Sequence, residues 1–438
     1  MTGDYRSRIM PADVALAEVR SGQRVYIHNG CAEPVELVKA LTRRGPELED
    51  VEVLHMATMG IADYILPEYE GHFRHNALFI GGNVRKAVQE GRADYTPIFL
   101  SEIEGLFAGG ALPIDVCLLQ CTPPDPYGYM SLGPSIDASL TAAQSARRVI
   151  VEINDRCPRT LGDTFLHVSR VDAFVETSHP LSEYPRHPVT EIHHAIGRHV
   201  AALIPDGATI QTGIGGIPEA VLSLLKDRKD LGIHSEMVPD SVIELIQMGV
   251  ITGERKSLHP RKVISGFVLG SKALFDFIDN NPMFEFHRTA YCNDPFLIAQ
   301  NDRMVAINSA IEVDLTGQVC SDSMGPSPYS GIGGQVDFLR GAARSKGGLP
   351  IITLPSTAKD GAVSRIVPTL RPGAGVVTSR GDVHYVITEH GAAYLHGKTI
   401  RQRVEAMIQV ADPKFRAELE EYAKQSKLLG AQRSLVAV

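Results

Sequence analysis

The chain has no apolar run long enough to span a bilayer, and its first residues, Met-Thr-Gly-Asp-Tyr-Arg-Ser-Arg, lack the apolar core of a signal peptide. The expectation is a cytoplasmic protein that does not bind membranes. No Cys-x-x-Cys pair occurs among the six cysteines (Cys31, Cys117, Cys121, Cys157, Cys292 and Cys320), so neither a disulfide framework nor a zinc site is indicated. Cys117 and Cys121, at the end of an apolar run, read as small buried side chains. An excess of positive charge is also missing. With 43 basic against 51 acidic residues and a net charge of −8, nucleic acid is disfavoured as the principal partner, although an anionic small molecule needs only a few local cations. His193, His194, Arg198 and His199 have no carboxylate or thiol partners at ligand spacing; they read as polar positions of a helix face, and no metal is expected.

What remains is a globular composition, 44% apolar and 21% charged. A length of 438 residues exceeds the usual single core and points to two domains. Strand-like runs such as residues 24–28 and 149–153 alternate with amphipathic helical runs such as 34–41. That alternation predicts α/β architecture with open, mainly parallel sheets. Prolines, charges and histidines crowd residues 178–188, which places a linker there and predicts domains at 1–183 and 184–438.

The tetrapeptide Gly-Ile-Gly-Gly occurs twice, at 213–216 and at 331–334. The first lies between a predicted strand (208–212) and a predicted helix (218–225) with Pro218 near its start; the second opens a predicted helix over 335–340. Glycines at such corners let an anionic or thioester group approach backbone N–H groups closely. A dinucleotide fingerprint fits poorly, because Ile217-Pro218 stands where a third glycine belongs. Between the two runs lies Glu236, after a short predicted strand (231–233) and before a helix (242–248) introduced by a capping box, Ser241 to Glu244. The two halves also read as diverged copies. Setting Pro34 against Pro218 aligns Leu37, Val38 and Leu41 with Val221, Leu222 and Leu225, and setting Asp50 against Asp230 puts Met56 opposite Glu236. The glutamate is therefore expected in the second copy alone, with the first completing the cleft.

Six segments together resemble the acetyl-CoA hydrolase/transferase family, in its 4-hydroxybutyrate and butyryl-CoA:acetate CoA-transferase branch, over nearly the whole chain. They are residues 213–218, 231–236, 333–342 (Gly-Gly-Gln-Val-Asp-Phe-Leu-Arg-Gly-Ala), 354–358 (Leu-Pro-Ser-Thr-Ala), 379–385 and 394–403. The resemblance implies two similar α/β domains of the CoA-transferase and sugar-phosphate isomerase type, and a glutamate that becomes joined to coenzyme A. It puts that role on Glu236 and contacts to CoA on Gly213, Ile214, Gly215, Gly216, Ile217, Ile311, Gly334 and Lys359. It implies acyl-CoA and short-chain carboxylic acids as substrates, no tightly bound cofactor, and a homodimer or higher homo-oligomer. One departure is visible at residues 388–392, Thr-Glu-His-Gly-Ala where Thr-Glu-Tyr-Gly-Val is expected, so His390 and Ala392 are expected to alter the acyl pocket.

A carboxylate can attack a thioester because the mixed anhydride keeps the activation of the bond broken. Attack by Glu236, return of CoA to the glutamyl carbonyl and release of the first acid would give a glutamyl-CoA thioester. An acceptor acid then runs the steps backwards. Both glycine runs are candidate donors to the oxyanions on this path, each such donor being worth about 3 to 4 kcal/mol in the barrier. An acyl-CoA hydrolase, in which water intercepts the thioester, is the close alternative. A non-catalytic acyl-CoA sensor would not need the glutamate, and a sugar-phosphate isomerase is suggested by fold alone.

Overall fold

A computed structural model describes residues 5–429. Two large sheets divide the chain. The first contains seven parallel strands, Arg24–Ile27, Val51–His55, Phe73–Ala77, Ala93–Tyr95, Val116–Cys121, Arg148–Asn154 and Ala173–Thr177. They lie side by side in the order fourth, third, second, first, fifth, sixth, seventh. The second sheet repeats that order with Thr209–Thr212, Gly232–Val238, Val263–Val268, Phe284–Phe286, Met304–Ser309, Leu349–Thr353 and Tyr385–Thr388. It adds one antiparallel edge strand, Gly391–Tyr394, so the sheet is mixed at that border. Strands such as Val116–Cys121 are buried along their whole length, as expected when helices cover both faces of a parallel sheet.

The internal duplication extends to backbone detail. Asp50 and Asp230, paired by the sequence comparison, both turn into the second strand of their sheet with positive φ, 50° and 54°. Residues 178–190 form no helix or strand. They run along the second half, where the Tyr184 N–H donates to the Gly270 carbonyl at 2.9 Å. A single apolar core joins side chains of both halves, among them Tyr26, Phe107, Ile233, Val268 and Phe286. All six cysteines are buried free thiols. No helix among the described residues is long and apolar enough to cross a membrane.

Two local expectations are corrected. The strand predicted at 231–233 runs instead over Gly232–Val238, because its polar residues find partners inside the protein. His234 bonds to the Cys292 carbonyl at 2.9 Å, and the Ser235 hydroxyl donates to the Thr212 carbonyl at 3.1 Å. The capping box at Ser241 does not form. The following helix, Ser241–Gln247, begins at Asp240 without a side-chain cap, and Asp240 instead accepts from the Ser271 N–H and hydroxyl.

Candidate active site

The carboxyl ends of the two parallel sheets face one another, and a cavity of about 400 Å³ lies between them. In open α/β sheets this is where ligands bind. The first half contributes the turns after its first three strands, including Gly30, Met56, Phe79 and Arg85; the second contributes Gly213, Ile214, Glu236 and Gly331 to Gln335. Met56, the counterpart of Glu236, thus helps to wall the space into which Glu236 projects. Arg85 is the one cationic side chain among the wall residues, and the Glu236 and Asp137 carboxyls are its acidic ones.

Glu236 occupies the carboxyl half of its strand and is half-buried. Its Oε2 accepts from the Asn293 side-chain amide at 2.9 Å, and the Gly334 backbone N–H adds a further stabilising interaction with the carboxylate. Removal from water raises its pKa above the ordinary carboxylate value, and those two donors partly offset the rise. The two oxygens are thus unequal: Oε2 is the one bonded by the Asn293 amide and the one that Gly334 crowds most closely. A Cβ placed on Gly334 would lie inside contact distance of both Oε2 and the Asn293 amide. Glycine is required there for close approach. Asn293, which ends the one-turn helix Thr289–Cys292, was not singled out from the sequence; an isolated asparagine far from Glu236 in the chain carries no local signal.

The two glycine runs take different places. Gly213 and Ile214 wall the central cavity. Gly215, with φ of 108°, begins the helix Gly216–Ser223, and with Gly216 and Ile217 it borders a second cavity of about 240 Å³. Pro218 is the third residue of that helix, two positions later than predicted, because the helix begins at Gly216. Gly216 admits the ring of His193, which together with Thr190 caps the helix Glu191–Ala201. Ile214 and Ser309 border both cavities, so the two adjoin. The half-buried Arg365 also borders the second cavity. Ile311 is half-buried and Lys359 is exposed on a hairpin turn; neither is among the residues walling these two cavities. The second run is fastened to the first half, where the Tyr95 hydroxyl accepts from the Ile332 N–H at 3.1 Å and the Leu100 N–H donates to the Gly333 carbonyl at 3.1 Å.

Known proteins resolve the family. The models for the N-terminal and C-terminal domains of acetyl-CoA hydrolase/transferase match residues 2–181 and 270–423. The chain belongs to the acetyl-CoA hydrolase/transferase family. It is 51% identical over 415 residues to a 4-hydroxybutyrate coenzyme A transferase of Clostridium kluyveri, covering 95% of this chain and 97% of that one. It is 48% identical to a succinyl-CoA:acetate/propanoyl-CoA:succinate CoA transferase of Fasciola hepatica, covering 97% and 89%. The crystal structure of 4-hydroxybutyrate CoA-transferase from Porphyromonas gingivalis superposes with a TM-score of 0.84 at 40% identity, covering 96% and 98%. The protein is accordingly a CoA-transferase.

Within this CoA-transferase, the departure at residues 388–392 falls away from the cleft. His390 and Ala392 are both exposed at the hairpin that ends the second sheet, and neither walls the central cavity. The expectation that they shape the acyl pocket is not met by their placement. Glu389, just before them, does work locally, accepting from the Ser356 N–H at 2.8 Å and hydroxyl at 2.6 Å beside the second cavity.

Proposed function

We propose that the protein moves CoA between a short-chain acyl-CoA and a free carboxylate by a ping-pong reaction through a glutamyl-CoA thioester on Glu236. The observation that carries this reading is the unequal treatment of the two Glu236 oxygens. Oε1 attacks the acyl-CoA carbonyl and CoA thiolate leaves, giving an anhydride. The thiolate then adds to the glutamyl Cδ. Oε2 takes up the negative charge in that tetrahedral stage, where the Asn293 amide and Gly334 N–H already stand. Collapse breaks the bond from Cδ to Oε1, and the first acid departs with that oxygen. The acceptor carboxylate reverses these steps, supplying a new Oε1.

Relatives named for 4-hydroxybutyrate and for succinate, acetate and propanoate suggest small acids as acyl groups. The mixed lining, with Met56, Met59, Phe79 and Phe267 beside Arg85, Asn29 and Ser330, suits a short chain that ends in a polar group. The second cavity, bordered by Gly215, Gly216, Ile217 and Arg365, supports its assignment to the CoA arm.

The test is incubation with acyl-CoA alone, borohydride reduction and peptide mapping. Modification on the peptide containing Glu236, absent in Glu236→Gln, is expected, together with ping-pong kinetics. Modification elsewhere, or a fully active Glu236→Gln, removes the mechanism. Thiol released equally fast with and without an acceptor acid would make the protein a hydrolase instead.

A further inference from the structure

One stretch of the first half is bonded to the supports of both groups that hold Glu236. The Ser101 N–H and hydroxyl donate to the Asp337 carboxylate at 3.2 and 2.9 Å, beside the Leu100 to Gly333 bond. These contacts fix the loop and first helical turn from which the Gly334 N–H reaches Glu236. Three residues on, Glu104 does the same for the other donor. Its Oε1 accepts from the Ala290 N–H at 2.7 Å and the Thr289 hydroxyl at 3.2 Å, and its Oε2 accepts from the Thr141 hydroxyl. Arg288 adds a cation at 3.8 Å. Thr289 and Ala290 open the single helical turn that Asn293 closes. At the far end of that turn the Cys292 carbonyl can only accept, so His234 donates through Nε2, and its Nδ1 is left to accept from the Asn301 amide at 3.3 Å.

A carboxyl group 5% exposed is costly to bury, and Glu104 is not among the residues walling the cavity. We propose that Glu104 is a positioning residue for CoA transfer: from the half of the chain without a nucleophile, it sets where the Asn293 amide stands relative to Glu236. The inference rests on the reading of Glu236 as nucleophile with Oε2 as the developing oxyanion. A short helical turn has few bonds of its own, so its placement depends on what grips its ends. A displacement of about 1 Å at a reacting group can cost a hundredfold in rate.

A mutant cycle tests this in the full-length enzyme. Asn293→Ala should lower kcat by about 10² to 10³, the usual effect of deleting one oxyanion donor. Glu104→Ala should lower kcat by roughly 10 to 10², with the KM for acyl-CoA within about twofold, because the cavity walls are untouched. Glu104→Gln, which can still accept from Ala290 and Thr289, should recover most of that loss. In the Asn293→Ala background, Glu104→Ala should cost less than about twofold more, since the group it places is gone. If Glu104→Ala does not fold, Glu104→Asp, whose carboxyl falls short of Ala290, takes its place in the cycle. Losses that multiply in the double variant, or a folded Glu104→Ala or Glu104→Asp with wild-type kcat, overturn the proposal. The labelling of Glu236 by acyl-CoA is scored separately on wild type, so failure of the nucleophile reading shows there and failure of the positioning role shows only in the cycle.

Discussion

Gly334 and Glu236 are in such close register that a methyl group on the glycine would occupy the space of Oε2. The neighbouring atoms are the Glu236 carboxylate, the proposed nucleophile, and the Asn293 amide, neither of which can move without leaving the other. Gly334→Ala is therefore expected to lower kcat and kcat/KM together, by about 10² or more, the scale of losing an oxyanion donor. Gly213→Ala is the contrast. Nothing stands within 4 Å of a Cβ there, so the methyl should enter the open cavity and raise KM more than it lowers kcat. Steady-state kinetics on both variants checks the pair; equal behaviour would mean the two glycine runs do the same job.

The pH profile should report the environment of Glu236. Attack requires the carboxylate, and burial raises the pKa of this group above its ordinary 4.5. The acid limb of kcat/KM should accordingly lie above pH 4.5, with activity rising as the proton leaves. The Asn293 amide lowers the pKa by bonding to the charged form. Asn293→Ala should thus move the acid limb further up, in addition to slowing the reaction. A downward shift, or none, would show that the amide does not bond the ionised group.

Much of this architecture was legible in the sequence because parallel strands buried on both faces leave long runs of Val, Ile and Leu. The duplication was legible because each copy must repeat the same corner, even to a positive φ at Asp50 and Asp230. The strand carrying Glu236 was read too short, since buried His234 and Ser235 break the apolar pattern and are satisfied only by tertiary partners. Gly334 was legible through its motif, whereas Asn293 and Glu104 act through contacts across the fold that no local spacing encodes. His390 was over-read: a departure from a pattern marks a difference in sequence, and its exposed place on the last hairpin gives it no access to the cavity wall.

Arg85 places a positive charge at the cavity wall, where an acceptor acid is expected to meet it. Its Nε donates to the Tyr329 carbonyl at 2.6 Å and its guanidinium lies 3.9 Å from the Tyr329 ring centre, which holds the side chain in place at the cavity wall. Arg85→Met keeps a long apolar stem and removes the cation. The KM for acceptor acids should rise by about tenfold or more, as expected for a charge-assisted bond of about 1.5 to 3 kcal/mol. Glutamyl-CoA formation from acyl-CoA should be affected much less. Acceptor titrations with acetate, 4-hydroxybutyrate and succinate check this; a loss confined to the acyl-CoA step would move Arg85 to the CoA side.

Glu33 should make stability depend on pH in a predictable direction. It is 2% exposed, accepts from the Gly60 and Ile61 N–H groups at 3.1 and 2.7 Å, and thereby holds the loop that brings Met59 to the cavity. Burial nevertheless pushes its pKa from 4.5 up to about 7. A group whose folded pKa is raised contributes stability that is fully present below its unfolded value and is lost as pH rises through the folded one. Relative to Glu33→Gln, which is neutral at every pH, the wild type should therefore lose stability between about pH 4.5 and 7, and then level off. The full difference is of order 3 kcal/mol at about 1.4 kcal/mol per pH unit. Urea unfolding of both proteins at pH 5, 6, 7 and 8 measures it. A gap between wild type and Glu33→Gln that stays constant over this range would mean that Glu33 keeps an ordinary pKa and that the two backbone bonds fully offset its burial.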